Sequence, residues 1–176
     1  MKKILLAFII SQLFTLSAIS LSLGVDLMSF DSFYFKNLSL KGAASLRVND
    51  SIRLVLTASY HKSKDIDNQL QAFDIGLSAA YNIPSCYGLY IKATLLNPVF
   101  LTGYDAPTSE PLFLTSLAVG YEFTFPFFSL DLSLGLLDAF KASEGAYQIL
   151  RSALKQYSEY RFSVLTSVRF DFRKKE

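Results

Sequence analysis

Two residue types with catalytic or ligating chemistry occur once each in this chain, as His61 and Cys86. One imidazole and one thiol cannot complete the four-ligand shell of a zinc site, so neither a metal nor a cofactor is expected. Asp65 and Asp67 follow His61 in a polar stretch that also holds Ser63, and imidazole, carboxylate and hydroxyl together are the chemistry of acyl transfer. Residues so ordinary for a polar connection do not make a triad by spacing alone, and no catalytic residue is assigned; the chain is read as no enzyme. The remaining chemistry is ionic: Lys41, Arg47, Arg53, Lys92, Arg161 and Arg169 are answered by Asp26, Asp74, Glu122, Asp131 and Asp171. The formal net charge is +2 and is spread along the chain, with no basic stripe to neutralise phosphates. Nucleic acid is not an expected partner.

The elements that carry these charges begin after an export signal. Lys2 and Lys3 precede an apolar run from Ile4 to Leu16, and Ala18-Ile19-Ser20 supplies small residues for cleavage. Residues 1–20 are read as a signal peptide and 21–176 as one domain. Hydrophobic residues make up 51% of the chain and mean hydropathy is +0.31, yet beyond residue 20 no apolar run approaches the ~20 residues of a spanning helix. A helical membrane protein is excluded. Cys86 has no partner with which to build a disulfide and is read as a turn residue.

The period of the pattern is two. Leu38, Leu40, Gly42, Ala44, Leu46 and Val48 alternate with Ser39, Lys41, Ala43, Ser45 and Arg47; after Asn49-Asp50, a turn pair, Ile52, Leu54, Leu56, Ala58 and Tyr60 alternate with Arg53, Val55, Thr57, Ser59 and His61. A second hairpin turns at Pro84-Ser85, with Asp74 and Lys92 on its polar face. A third turns at Pro126, with Glu122 and Asp131 on its polar face. The segments Leu21–Leu27 and Arg161–Phe172 alternate likewise, giving eight strands. All five prolines fall in connections or at a strand start, where a missing N–H costs the ladder nothing.

Three short turns then oppose longer connections at about 31–36, 62–69, 97–110 and 140–159, the rim asymmetry of outer-membrane barrels. The expected fold is all-β: an eight-stranded antiparallel up-and-down transmembrane barrel with one short extracellular loop helix. That helix is read from Ser143 as N-cap and from Ala146, Ile149, Leu150, Ala153, Leu154 and Tyr157 at helical spacing, with Arg151, Lys155 and Gln156 facing away. A soluble barrel would need dense Lys and Glu on its polar face. Here that face is mostly Gly, Ala, Ser and Thr, so it is expected to look inward while the apolar face meets lipid. Tyr60, Tyr81, Phe113, Tyr121, Phe123, Phe125, Phe128, Tyr160 and Phe172 would lie at headgroup depth. Inward charges in a lumen just wide enough for side chains imply an ionic network, with Arg47, Arg53, Glu122, Asp131 and Arg169 close together. Nearer the long loops, Met28, Leu96, Leu112, Leu114, Leu137 and Leu165 fall on inward positions; they either pack beneath the loops or line a pocket for a hydrophobic molecule.

On this pattern the mature chain resembles the small eight-stranded outer-membrane barrels typified by OmpA, OmpX and OmpW, spirochaete members among them. The resemblance implies an outer-membrane location, lipid as surroundings, and recognition by the barrel-assembly machinery through a terminal aromatic signal, which Phe170-Asp171-Phe172 resembles; the further Arg173-Lys174-Lys175-Glu176 departs from it. An OmpW-like likeness implies a narrow pore or binder of small hydrophobic molecules with an ionic plug below. An OmpA- or OmpX-like one implies a structural or surface-interaction barrel, an adhesin or surface antigen, that meets an extracellular partner through its loops.

Overall fold

The computed structural model describes residues 20–27, 37–63, 70–103, 106, 109–138 and 144–171, the side chains of Asn37, Glu144, Lys155 and Asp171 excepted. Residues 1–19 of the expected signal segment therefore lie outside the described residues, as do Met28, Asp65, Asp67, Ser143 and Phe172, while Ser20, its last residue, opens the first strand. Ten strands form one antiparallel sheet: β1 (Ser20–Asp26), β2 (Asn37–Arg47), β3 (Ile52–Ser63), β4 (Gln71–Asn82), β5 (Leu89–Leu96), β6 (Pro98–Thr102), β7 (Leu112–Phe113), β8 (Ser116–Thr124), β9 (Phe128–Leu137) and β10 (Tyr160–Asp171). β6 prolongs β5, and β7 precedes β8 in the same way, so the strands make eight staves. Pairing of β1 with both β2 and β10, and of β3 with β4, closes the ring.

Local chemistry fixes the three short turns. The Asn49 side-chain oxygen accepts the backbone N–H groups of Ser51 and Ile52 at 2.9 and 2.7 Å, the capping bonds that Asn makes in turns. The turn between β4 and β5 ends on Gly88, whose φ of 87° and approach to the Glu122 carbonyl leave no room for a side chain; Cys86 is exposed within it. Phe125 N–H donates to the Phe128 carbonyl at 2.9 Å to close the third. These turns and both ends of the described chain share one rim.

Alternation sorts the side chains. Leu23, Leu40, Leu56, Ile75, Ile91, Val119, Leu134 and Val168 stand about half exposed on the outer surface, at least one on every stave, whereas Ser45, Ser59, Ser78, Ser129, Ser133 and Ser167 are buried within. Aromatic residues outline both rims. Phe125 stacks on Phe128 with centroids 4.3 Å apart at the short-turn end, and Phe73 lies 6.5 Å from Phe100 towards the other. An exterior of this kind suits hydrocarbon, not water.

The structure departs from the periodic reading at β5. A bulge opposite Leu77 and Ser78 inserts one residue, so that Leu95 and Leu96 both face outward. Leu96, expected on the inner face, is therefore a lipid-side residue. The stave resumes with Pro98, and Val99 and Leu101 become the buried positions. The connection expected at 97–110 is shorter by that extension, and the one expected at 62–69 begins only after Ser63.

The membrane assignment has a direct consequence at Leu56, an outward residue near the middle of β3. Leu56→Arg is expected to cost about 2–4 kcal/mol, the penalty for a cation on the lipid face near the bilayer midplane. Reversible urea unfolding in lipid vesicles, followed by circular dichroism, measures it; an unchanged midpoint would contradict a lipid-facing Leu56.

Candidate functional site

Inside the barrel the polar side chains form three layers. At the short-turn end Glu122 and Asp131 are directly paired across β8 and β9, which would set two like charges side by side without a cation between them. Arg53 of β3 supplies it, meeting Glu122 at 3.1 Å and Asp131 at 3.0 Å. Arg47 adds a second cation to Glu122 at 3.0 Å. Two guanidinium groups thus balance two carboxylates across the full width of the lumen, with sequence separations of 75 and 78 residues. Arg169, expected close to this group, is half-buried on β10 beside Ser22.

Tyr90 belongs to the same cluster although its chemistry was not singled out in the sequence. Its hydroxyl donates to Asp131, the Arg53 guanidinium lies 4.7 Å from its ring centroid, and the Lys92 ammonium lies 5.8 Å from it. The ring occupies the space left by Gly120, its cross-strand partner: a Cβ there would run into the Tyr90 ring and hydroxyl. An inward tyrosine opposite an inward glycine was the available signal.

The middle layer is looser. Asp26 accepts Lys41 Nζ at 3.0 Å, the Ser163 hydroxyl at 2.6 Å and the Val164 N–H at 3.2 Å. It thereby ties β1 to β10 just where the ladder between them ends. Lys92 and Arg161 border a cavity of about 80 Å3 beside Lys41. Leu165 lies lower, at the edge of a space of about 20 Å3.

The top layer centres on His61, which is wholly buried. Ser39 Oγ lies 2.8 Å from its Nδ1 and Ser59 Oγ 2.9 Å from its Nε2. Ser59 also donates to Asp74, and the Tyr157 hydroxyl reaches the same carboxylate at 2.6 Å. The Tyr157 ring meets the imidazole edge-on at 5.2 Å. Burial, reinforced by the Asp74 carboxylate, pushes the Tyr157 phenol well above its ordinary value, so it stays a protonated donor at neutral pH. Serine, imidazole and carboxylate are thus adjacent, but the carboxylate is Asp74 and all three groups are sealed within the barrel.

Tyr157 arrives from the last long connection. Helix α1 (Glu144–Ala153) leads into a 3-10 turn, Lys155–Tyr157. Tyr147, Leu150, Ala153 and Leu154 point down onto Leu70, Val99, Leu101, Leu114 and Leu137, forming the one apolar core given by the described residues. Leu112 packs at its edge. Ile149, expected in the apolar stripe, is nearly half exposed, and Tyr147 takes its place. Gln156, expected to face away, buries its side-chain oxygen; Arg151 is exposed beside Glu159 at 3.5 Å. At the opposite end of the lumen axis, Phe170 is exposed on the outside of β10.

A closed eight-stave barrel with an apolar exterior and a polar, ion-paired interior defines the class: this is the fold of small outer-membrane β-barrels. Its match to the N-terminal β-barrel domain of Pseudomonas aeruginosa OprF covers 88% of this chain and 98% of that one at a TM-score of 0.51 and 15% identity. Neisserial surface protein A (TM-score 0.46, 14% identity, 88% and 96% covered) and Yersinia pestis Ail (0.47, 9%, 89% and 99%) are also similar. No family model and no curated protein matches the sequence.

Asp131→Ala is expected to cost about 3–5 kcal/mol, because it strips a buried guanidinium of one counter-ion and Tyr90 of its acceptor. Arg47→Ala should cost less, since Arg47 is 26% exposed and Arg53 still answers Glu122. Paired urea unfolding curves compare them, and equal losses would refute the ranking. Tyr157→Phe removes one buried hydrogen bond, worth about 1–3 kcal/mol when its partner is left wanting. It should speed amide exchange in α1 more than in the staves; mass spectrometry by segment reads the difference, and uniform protection would count against a Tyr157 latch.

Proposed function

We propose that this chain is an integral outer-membrane barrel of the structural, surface-display kind, with a shut lumen and an outward loop face that meets an extracellular partner. The carrying observation is closure from both ends: Arg53 is held between Glu122 and Asp131 below, and α1 lies on the apolar core above. Leu112, Leu114 and Leu137 are engaged in that core, which favours packing over an open pocket for a hydrophobic molecule. Gln148, Ile149, Arg151 and Ser152 form the exposed outer surface of α1 and are the natural contact face.

On this reading residues 1–20 direct export, the apolar girdle sits in outer-membrane lipid, and the end of β10 around Phe170 is what the barrel-assembly machinery engages. The lower ionic cluster serves as a plug. Buried ion pairs contribute little net stability against apolar packing; their role here is to fill the lumen while matching the charges that the lipid face cannot hold.

Reconstituted into planar bilayers, the folded protein should give no steady current above that of the protein-free membrane. A stable, reproducible channel current from the unaltered protein would overturn the shut-lumen reading and restore the narrow-pore alternative.

A further inference from the structure

We propose that the middle of the lumen is a binding site for one small oxyanion of the phosphate or sulfate class, held among Lys41, Lys92 and Arg161. In the lower layer Arg47 and Arg53 are balanced by Glu122 and Asp131. The middle and upper layers are not: three cations, Lys41, Lys92 and Arg161, face only Asp26 and Asp74, and His61 is neutral in that count. Asp26 is engaged by Lys41, Ser163 and the Val164 N–H. Asp74, which reaches the upper edge of the cavity, accepts the Ser59 and Tyr157 hydroxyls. Among the described residues neither Lys92 nor Arg161 has a carboxylate at ion-pair distance. Lys92 lies 5.8 Å from the centroid of the Tyr90 ring, with the Asp131 carboxylate as its main attracting charge beyond contact distance.

Clustered buried cations are disfavoured unless matched, and these three repel one another while Asp26 and, for Lys92, Asp131 attract them only in part. They also share a boundary, because all three line the same cavity of about 80 Å3. A water needs roughly 10–15 Å3 of such space, so the volume admits an ion of several oxygens. The cavity exists because Ala118 and Gly135, the cross-strand partners of Lys92 and Arg161, are small. Ser78 and Ser133 add hydroxyls to its wall. Asn97 also borders the cavity, and a half-turn of its amide would present Nδ2 there as a donor.

The donor set favours an oxyanion over a halide. A guanidinium fork matches two oxygens of a planar or tetrahedral anion, while two ammonium groups and surrounding hydroxyls serve the remainder from other directions. Since the barrel is shut above and below, the anion enters as the staves close around it. Its presence would leave the bilayer current at zero, so this proposal and the shut-lumen reading can fail separately.

The full mature chain, refolded into detergent with radiolabelled phosphate and then desalted, should retain about one phosphate per barrel. Sulfate present during refolding should compete, and equal chloride should not. Arg161→Gln and Lys92→Gln should each reduce retention at least tenfold. Gly135→Leu, whose Cβ meets only ordinary contacts at 3.5 Å and beyond, should fill the cavity and abolish retention. Circular dichroism identifies which variants fold, and the labelled unaltered protein decides the question if none does. Failure of the unaltered protein to retain phosphate, retention undiminished in a folded variant, or displacement by equal chloride would each overturn the assignment.

Discussion

A backbone N–H or C=O in hydrocarbon has no water to turn to, so every one must find a partner within the chain. A sheet meets that demand only by closing on itself, and the seam between β1 and β10 is where this chain does so. Asp26 stands at the end of the seam and takes Lys41, the Ser163 hydroxyl and the Val164 N–H together, extending the ladder with a side chain where strand pairing stops. Closure also decides the fate of the charges, since the outer face cannot hold them and the inner one is narrow enough to bring them into contact.

The lumen is graded as a result. Guanidinium and carboxylate groups alternate across the lower barrel, with Tyr90 as an aromatic spacer between Arg53 and Lys92. Hydroxyls and the cations of Lys41, Lys92 and Arg161 surround a cavity in the middle. His61, Ser59, Asp74 and Tyr157 join the top of the barrel to the loop above it, and apolar side chains finish the seal. Each step upward exchanges charge for hydrogen bonds and then for hydrocarbon.

Strand positions and the inward or outward sense of most residues were legible in the sequence because a two-residue period on a one-sided surface leaves little freedom. Arg47, Arg53, Glu122 and Asp131 were readable for the same reason: all sit on the polar face near short turns. Tyr90 was not, because its role depends on Gly120 across the sheet, a pairing fixed by register and not by neighbours in sequence. The β5 bulge escaped for another reason: Leu95 and Leu96 are both apolar and give no local sign of which one breaks the alternation. The assembly around Asp74 unites residues from distant segments, so sequence proximity to His61 gave no sign that Asp74 and Tyr157 would meet it.

That bulge carries an evolutionary implication. By spending one additional residue, β5 reverses the parity of everything that follows it in the stave, and only in the reversed phase do Val99 and Leu101 meet α1 while Phe100 meets lipid. Pairing both leucines regularly would turn Phe100 into that core and its two neighbours out of it, whereas losing one leucine would remove the bulge and leave all three facing as they do. The extra leucine is thus a local insertion that the rest of the stave absorbs, and ancestral forms with one leucine fewer would present the same faces to lipid and to the loop.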